Sequence, residues 1–301
     1  MTVTDDERVD DSAGFGVDSM VGPLRRVAMR RPGAILRADP ERWHYAKVID
    51  AEALSAQYQR FVDLVTAHGA EVVWMAEPDA DDDLADSIFT YDASFMVAQG
   101  AIVLRPGKSL REPEAELHRR FYQDSVPVLG SIEAPGTMEG GDLFWLDPTT
   151  LAVGRGFRTN QAGIEQLRVI VEPLGITVEA YDLPYFHGPE ACLHLLSVVS
   201  PVDRDLALVH APLMPTALYQ RMVDLGYELL HAPPAEFEAS LGLNLNVLAT
   251  GPRRGITVAG FPRTVEVMRA AGCDISVFDG DELCLPCEGG PTCLTRPLLR
   301  D

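Results

Sequence analysis

The order of apolar and polar residues repeats five times along the chain. Each copy begins with apolar residues at helical spacing, then has a break, and continues as a short apolar run closed by acidic, proline or glycine residues. This order predicts a helix followed by a strand in every copy. The five copies are RFVDLVTAHGAEVVWMAEP (60–78), ELHRRFYQDSVPVLGSIEAP (116–135), QLRVIVEPLGITVEAYDLP (166–184), LYQRMVDLGYELLHAPP (218–234) and EVMRAAGCDISVFDGDEL (266–283).

The breaks lie at Gly69, Ser125, Gly175, Gly226 and Gly272. Glycine suits the end of a helix because it enters the left-handed conformation without steric cost. Successive breaks are 56, 50, 51 and 46 residues apart, a nearly regular period that is typical of repeat architectures. Five helix–strand units predict a closed ring of five α/β modules. An ordinary α/β sheet with alternating helices and strands also gives recurring units, so it is retained as an alternative interpretation.

Further apolar runs lie between the copies, and most of them contain two short strands around a turn. Each module is therefore expected to be a small mixed sheet with one helix. The runs are RRVAMRRP (25–32), FMVAQGAIVLRPG (95–107), LFWLDPTTLAVGRG (143–156), SVVSPVDRDLALVHA (197–211) and LNVLATGPRRGITVAG (245–260).

One polar residue follows each break at a similar distance. Asp86, Glu139, His194, Asn244 and Cys293 lie 17, 14, 19, 18 and 21 residues after their breaks. In a ring of similar modules, residues at the same position of each repeat lie at the same distance from the ring axis and at the same level along it. Two carboxylates, an imidazole, an amide and a thiol are then expected to meet on the axis as a candidate catalytic cluster.

Most of these residues also have an ordinary structural interpretation. Met138–Asp142 could be an acidic turn, although the aromatic strand that follows its Gly-Gly pair suggests close backbone approach. His194 lies in an apolar run, where a histidine is often a satisfied core residue. Asp86 could continue the acidic run 79–86 as a solvated turn. Asp92 is harder to assign to solvent, because Ala-Ser-Phe-Met-Val follows it.

Three of the five cysteines fall within CLPCEGGPTC (284–293), and three interpretations are open. Zinc binding lacks a second Cys/His pair at suitable spacing. A redox Cys-x-x-Cys lacks a thioredoxin-like strand-to-helix context. In the third interpretation Cys293 is a nucleophile presented by a Gly-Gly-Pro-Thr turn, and Cys284 and Cys287 are packing residues.

Composition narrows the class of protein. The chain has 301 residues, 47% of them hydrophobic, and a formal net charge of −20. This charge argues against a nucleic-acid partner and is compatible with a cationic substrate. No apolar run is long enough for a transmembrane helix, so no membrane partner is expected. The low, odd number of cysteines fits a reduced, cytoplasmic protein.

Two features of organisation follow from the sequence. The first residues are acidic and small and lack the regions of a signal peptide. They predict a flexible tail over residues 1–18, followed by a single catalytic α/β domain over residues 19–301. Segment 79–91 is acidic and polar and is a candidate lid.

Six motifs occur in the order found in the guanidine-modifying amidinotransferase-like, or pentein, enzymes. The chain resembles this superfamily over roughly residues 20–300 and is most similar to the dimethylarginine dimethylaminohydrolases. The resemblance implies a five-bladed α/β propeller, in agreement with the repeat. The motifs are DSIFTYD (86–92), VLRPG (103–107), MEGGD (138–142), GFRTNQAG (156–163), CLHLLS (192–197) and GGPTCL (289–294).

The resemblance also implies roles for the residues in these motifs. Cys293 is the expected nucleophile, His194 the general acid/base, and Glu139 the carboxylate that orients the imidazole. Asp86, Asp92 and Glu288 are expected to hold the guanidinium. Arg105 and Arg158 are expected to bind the substrate's α-carboxylate, which suits the bidentate guanidinium fork. We include Phe89, between the two aspartates, among the substrate-binding residues.

Two positions depart from the family pattern. Tyr91 stands where relatives usually have Glu or Arg, and Leu196 where close relatives have Lys. The identity of the substrate is therefore less well defined than the mechanism.

The leading hypothesis is a hydrolase that converts Nω-methylated arginine to citrulline and a methylamine through an S-alkylthiouronium intermediate. It needs no metal and no cofactor. Arginine deiminase, another arginine hydrolase and an amidinotransferase stay open as alternatives. So do a non-catalytic guanidine binder and a zinc-dependent interaction module. The expected partner is a small guanidino substrate, and a homodimer is left open.

Overall fold

Within the described residues, the strands form five three-stranded sheets. The computed structural model describes residues 14–78, 82–189, 191 and 193–301. The sheets are β1 (Leu24–Met29) with β2 (Glu71–Trp74) and β15 (Arg296–Arg300), then β3 (Ser94–Val97), β4 (Gly100–Val103) and β5 (Val128–Ser131), then β6 (Leu143–Asp147), β7 (Thr150–Arg155) and β8 (Thr177–Asp182), then β9 (Val199–Asp203), β10 (Leu206–Val209) and β11 (Glu228–His231), then β12 (Leu248–Gly251), β13 (Arg254–Val258) and β14 (Asp274–Phe278).

One principal helix accompanies each sheet. The longest has a side-chain cap, since Asp50 accepts hydrogen bonds from the amides of Glu52 and Ala53. It buries an i, i+4, i+7 series that begins at Leu54, as amphipathic patterning requires. Two short helices were not predicted. The helices are α1 (Pro40–Trp43), α2 (Ala51–Ala67), α3 (Glu114–Tyr122), α4 (Gln161–Val171), α5 (Thr216–Asp224), α6 (Pro234–Ser240) and α7 (Pro262–Ala270), of which α1 and α6 are the additional ones.

All five sheets have the same mixed topology. The central strand pairs antiparallel with one neighbour and parallel with the strand that follows the helix, as β4 does with β3 and β5. The predicted breaks terminate the helices. Gly69, Gly175, Gly226 and Gly272 have φ values of +99°, +80°, +88° and +84°, the left-handed region that favours glycine. The repeat of helix, break and strand is confirmed.

The sheets form the five modules of an α/β propeller. The first module is closed by the C-terminus, since β15 pairs antiparallel with β1. This composite sheet contacts β3 of the second module through β15 and β12 of the fifth module through β1. The ring and the five-bladed architecture are thus as predicted, whereas β15 was missed. Its sequence, RPLLR, lacks period-two alternation and carries an arginine at each end.

The chain start also takes part in the closure. Gly16 donates its amide to Leu298 and accepts from the amide of Arg300, and Val17 is buried. These contacts hold part of 14–18 against the first module, whereas the sequence assigned these residues to the tail. The remaining tail residues, 1–13, lie outside the described part of the chain.

Within the described residues, no helix is both long enough and apolar enough to span a bilayer.

Removing residues 296–301 should abolish the cooperative fold. The truncation leaves the β1 edge without its partner strand and removes the β15–β3 contact between the first two modules. We expect loss of the thermal unfolding transition followed by circular dichroism. Removing Asp301 alone, which loses an exposed ion pair with Arg25, should leave the melting temperature nearly unchanged. Equal transitions for both truncated proteins would show that β15 is dispensable for closure.

Candidate active site

The residues with candidate chemistry meet in a cavity of about 430 Å³. Its wall comes from loops of different modules, because the connections of all five sheets meet at one end of the ring. The lining includes residues predicted for the site, Asp86, Phe89, Asp92, Arg158, His194, Glu288 and Cys293, and residues that were not predicted, Trp43, Tyr45, Lys108 and Arg111 among them.

Cys293 lies on the turn that precedes β15. Its sulfur accepts a hydrogen bond from Asn246 Nδ2 at 3.1 Å. Asn246 Oδ1 in turn accepts from the amide of Thr292, so one side chain positions both the turn and the thiol. The two glycines before this turn allow close approach. A methyl group on Gly289 would lie 2.3 Å from the Phe89 ring, and one on Gly290 would lie 2.4 Å from the Asn246 side chain.

The amide that contacts the thiol belongs to Asn246, and not to Asn244 as the phase of the repeat predicted. Asn244 is buried and donates to Thr264 Oγ1 at 3.0 Å, so it fixes the fold of the fifth module. Asn244 lies within a 3₁₀ turn, Leu243–Leu245, and Asn246 follows directly after that turn and reaches Cys293. Counting residues from the helix break cannot detect such a turn.

His194 and Glu139 form the contact predicted for an acid/base pair and its orienting carboxylate. His194 Nε2 lies 2.6 Å from Glu139 Oε2. Glu139 has no exposed surface, and it also accepts from the Gly107 amide and from Arg158. Burial favours the neutral acid, but Arg158 and His194 outweigh it and hold the pKa of Glu139 well below its usual value. Because an ionised carboxylate only accepts hydrogen bonds, Nε2 is the donor.

The two glycines of MEGGD, Gly140 and Gly141, are needed because neighbouring atoms pack closely around the contact between His194 and Glu139. A methyl group on Gly141 would lie 2.3 Å from His194 Nδ1, and one on Gly140 would lie 2.1 Å from the Tyr91 carbonyl oxygen. The Gly141 amide also donates to Asp92 at 2.9 Å. The pair therefore brings backbone of the third module against residues of the second and fourth modules.

Asp86 is held by two neighbours that the sequence did not point to. Its carboxylate accepts from Tyr45 OH and from Lys108 Nζ, each at 2.7 Å. Residues 85–91, the second half of the candidate lid 79–91, are buried, and Asp86 and Phe89 among them line the cavity. Residues 79–81 of that segment lie outside the described part of the chain.

Asp92 is similarly engaged by a cation. Its Oδ2 accepts from Arg111 at 2.7 Å, and Arg111 also donates to Glu114 and to the Phe89 carbonyl oxygen. Arg111 and Glu114 are buried, and burial raises the pKa of Glu114 to about 7 despite the arginine. Each aspartate of the predicted guanidinium site thus already has an internal cation.

The two arginines predicted to bind a carboxylate lie in different places. Arg158 lines the cavity and lies 3.2 Å from Glu139. Arg105 is not among the described residues that line it, and its guanidinium pairs with Glu112 and donates to the Gly136 carbonyl oxygen. Arg111, six residues further along the chain, is the arginine that reaches the cavity from this loop. The sequence could not distinguish Arg105 from Arg111, because the loop after VLRPG has no periodic pattern that predicts side-chain direction.

The predicted wall residues Phe89 and Glu288 also line the cavity. Phe89 is buried, and Glu288 is exposed in a left-handed conformation with φ +53°. Asp86 and Asp92 each pair with a cation at 2.7 Å, whereas the exposed Glu288 is paired with no lysine or arginine within the described residues.

The cysteine cluster does not form a set of metal ligands within the described residues. The three donor groups that come within 4.8 Å of one another there are Asp92, Glu139 and His194. Cys284 is buried in the core and Cys287 lies at the cavity wall beside Cys293. The oxygens of Asp92 and Glu139 already accept hydrogen bonds, so we treat this grouping as a hydrogen-bonded network.

The two departures from the family pattern lie outside this cavity. Tyr91 and Leu196 line a separate, small cavity nearer the centre of the ring. The Tyr91 amide donates to the Cys293 carbonyl oxygen, and its ring packs under the Arg296 guanidinium at 3.8 Å.

Comparison with known proteins assigns the family. The arginine deiminase family model matches residues 76–228. The dimethylarginine dimethylaminohydrolase of Streptomyces coelicolor is 30% identical over 275 residues, which is 88% of this chain and 96% of the relative.

Two solved structures have the same fold. That of dimethylarginine dimethylaminohydrolase from Pseudomonas aeruginosa with citrulline superposes with a TM-score of 0.74 at 21% identity, over 91% of this chain and 99% of that one. An amidinotransferase from Microseira wollei gives 0.77 at 16% identity, over 95% and 97%. The chain therefore belongs to the arginine deiminase and dimethylarginine dimethylaminohydrolase family of the pentein superfamily, whose members include hydrolases of carbon–nitrogen bonds in amidines.

Proposed function

We propose that the protein hydrolyses a carbon–nitrogen bond of a guanidino amino acid, with Cys293 as the nucleophile. The observation that carries the proposal is one cavity lined by the Cys293 thiol, the His194 imidazole and two aspartates. Glu139 lies behind His194 and fixes the ring, so the imidazole is oriented before any substrate enters. A binding protein has no need of this arrangement.

Binding of the substrate depends on the pairs already present in the cavity. A guanidinium that reaches Asp86 or Asp92 competes with Lys108 or Arg111 for the same oxygens. Displaced cations are then available to an anionic group on the substrate, and Arg158 lies in the same wall. This charge distribution supports a substrate with a guanidinium at one end and a carboxylate at the other.

The first chemical step is attack of the Cys293 thiolate on the guanidinium carbon. In the free protein burial raises the pKa of the thiol to about 11, and Asp92 acts in the same direction. A cationic substrate beside the sulfur lowers that pKa, so deprotonation is coupled to binding. The thiol proton passes to His194 as the sulfur attacks. A carbon–sulfur bond forms, and the carbon–nitrogen bond breaks as His194 passes this proton to the departing amine.

The second step releases the product. The intermediate is an S-alkylthiouronium on Cys293. His194, neutral after the first proton transfer, takes a proton from water as the water attacks the same carbon. The carbon–sulfur bond then breaks, the proton returns to the thiolate, and a ureido amino acid such as citrulline leaves.

Two substrates deserve separate tests. Nω-methylated arginine is favoured because the relative from Streptomyces coelicolor, a dimethylarginine dimethylaminohydrolase, covers nearly the whole chain. Arginine itself, with ammonia as the leaving group, is the second candidate because the matching family model is that of arginine deiminase. We further propose a cytoplasmic location, which suits the free thiols at Cys273, Cys284, Cys287 and Cys293.

Turnover should be lost in Cys293→Ala. We expect a loss of at least about a thousandfold in kcat, because the substitution removes the group that forms the covalent intermediate. The assay incubates the protein separately with asymmetric dimethylarginine, arginine and agmatine, and measures dimethylamine, ammonia and ureido products. Cys273→Ala, at a buried thiol in another module, is the matched control and should keep its activity. Turnover that survives in Cys293→Ala would contradict the mechanism.

The pH dependence of alkylation tests the environment of the thiol. Because its pKa is raised to about 11, the rate of iodoacetamide reaction at Cys293 should rise about tenfold per pH unit up to about pH 10, whereas an ordinary thiol reaches half its limiting rate near pH 8.5 and levels off above about pH 9.5. Asp92→Asn removes a negative neighbour, lowers the pKa and should speed the reaction at pH 8. Asp182→Asn, at an exposed ion pair with Arg155, is the control. A half-maximal rate near pH 8.5 in the unmodified protein would refute the raised pKa.

Lys108→Met should change the preference between substrates. It releases Asp86 from its ion pair and removes a positive charge from the cavity. KM should fall for agmatine, which has no carboxylate, and rise for arginine, by roughly threefold to tenfold each. Lys47→Met removes an exposed lysine that pairs with Glu282 and should change neither. Equal shifts in KM for the two substrates would show that Lys108 does not discriminate between them.

A further inference from the structure

A second cavity, of about 30 Å³, lies at the centre of the ring. Every module contributes to its wall through the strand at the inner edge of its sheet. The contributing residues include Arg296 and Arg300 of β15, Phe95 of β3, Trp145 of β6, Ser200 of β9 and Ala249 of β12. No residue of its wall lines the larger cavity that contains Cys293.

The charge of this wall is opposite to that of the protein. The chain has 45 acidic and 25 basic residues, yet the described lining holds two arginines and no carboxylate. Arg296 is 2% exposed and Arg300 is 8% exposed. Neither forms an ion pair with any carboxylate in the described part of the chain, although arginine stays charged when buried. Two buried guanidiniums without a counter-charge are an unfavourable arrangement.

Some N–H donors of the side chains that line this cavity have no hydrogen-bond acceptor within the described part of the chain. Arg296 donates to the Tyr91 carbonyl oxygen at 2.5 Å, and Arg300 donates to the carbonyl oxygens of Gly22 and Ala249. Arg296 Nε and Trp145 Nε1 are buried and have no acceptor among the described residues. Both side chains line the cavity, and both groups are pure donors. A ligand that only accepts hydrogen bonds and carries negative charge matches this set.

The two arginines also act on each other. Burial and the charge of Arg296 lower the pKa of Arg300 to about 10. An anion between them would relieve both effects. A water molecule would accept hydrogen bonds but would neutralise no charge. A site for one water needs roughly 10–15 Å³, so this cavity has room for one small ion.

We propose that the central cavity is a binding site for a small inorganic anion of the size of chloride, held by Arg296, Arg300 and Trp145. The site lies directly behind the nucleophile. Asn246 lines the cavity and donates to the Cys293 sulfur, and Tyr91 lines it and donates its amide to the Cys293 carbonyl oxygen. The anion therefore stabilises the segment that positions the thiol. This proposal does not depend on the proposed function.

Thermal unfolding in two salts tests the site without any activity assay. We expect the melting temperature to rise with sodium chloride and then to follow the logarithm of its concentration, as linkage requires for a ligand of the folded state. Sodium gluconate at equal ionic strength supplies an anion too large for the cavity and should give a smaller rise. Equal melting temperatures in the two salts at every concentration would overturn the proposal.

Substitutions test whether the effect of chloride on the melting temperature arises at the central cavity. Arg296→Met should abolish the difference between chloride and gluconate. Arg155→Met, the same substitution at an exposed ion pair with Asp182, should keep it. A chloride effect that persists in folded Arg296→Met would place the anion elsewhere and overturn the proposal.

Should Arg296→Met fail to fold, diffraction from crystals of the unmodified protein soaked in sodium bromide decides the question. Anomalous scattering identifies bromide directly. An anomalous peak between Arg296, Arg300 and Trp145 Nε1 would support the site. A cavity with no such peak would refute it.

Discussion

A carboxylate with no exposed surface, Glu139, joins three modules of the ring at the site. It belongs to the third module, where Arg158 also lies, and it accepts from backbone amides of the second module and from His194 of the fourth. A buried carboxylate is stable only when all its oxygens are satisfied, so these partners must be in place together. The orientation of the imidazole and the mutual position of the modules are thus set by the same contacts.

Close backbone packing is the second requirement of the site. The Gly-Gly pair at 140–141 lets the third module approach His194, and the pair at 289–290 lets the last turn approach Phe89 and Asn246. At each of the four positions a methyl group would lie within 2.4 Å of a neighbouring atom. The segment that packs against His194 and the segment that carries Cys293 therefore each contain positions at which only glycine fits.

The two cavities of the ring differ in how their charged residues are paired. In the larger cavity each buried aspartate is neutralised by a basic residue of the 107–111 loop. In the smaller cavity behind it, the basic residues of β15 have no acidic partner among the described residues. Tyr91 and Asn246 form the part of its wall that contacts Cys293. The departures from the family pattern at Tyr91 and Leu196 line this second cavity and are not among the residues that line the larger one.

The sequence by itself determined the five modules, because helix periodicity, left-handed glycines and short apolar strands are local properties. It also predicted Glu139, His194 and Cys293 as the residues that carry the chemistry, since these residue types at one phase of a repeat have no common structural purpose. The tertiary structure alone decided which neighbours reach them. Asn246 in place of Asn244, Arg111 in place of Arg105, and Lys108 on Asp86 all depend on the direction of side chains in irregular loops. The closing strand β15 likewise forms only because β1, more than 260 residues away in the chain, presents an unpaired edge.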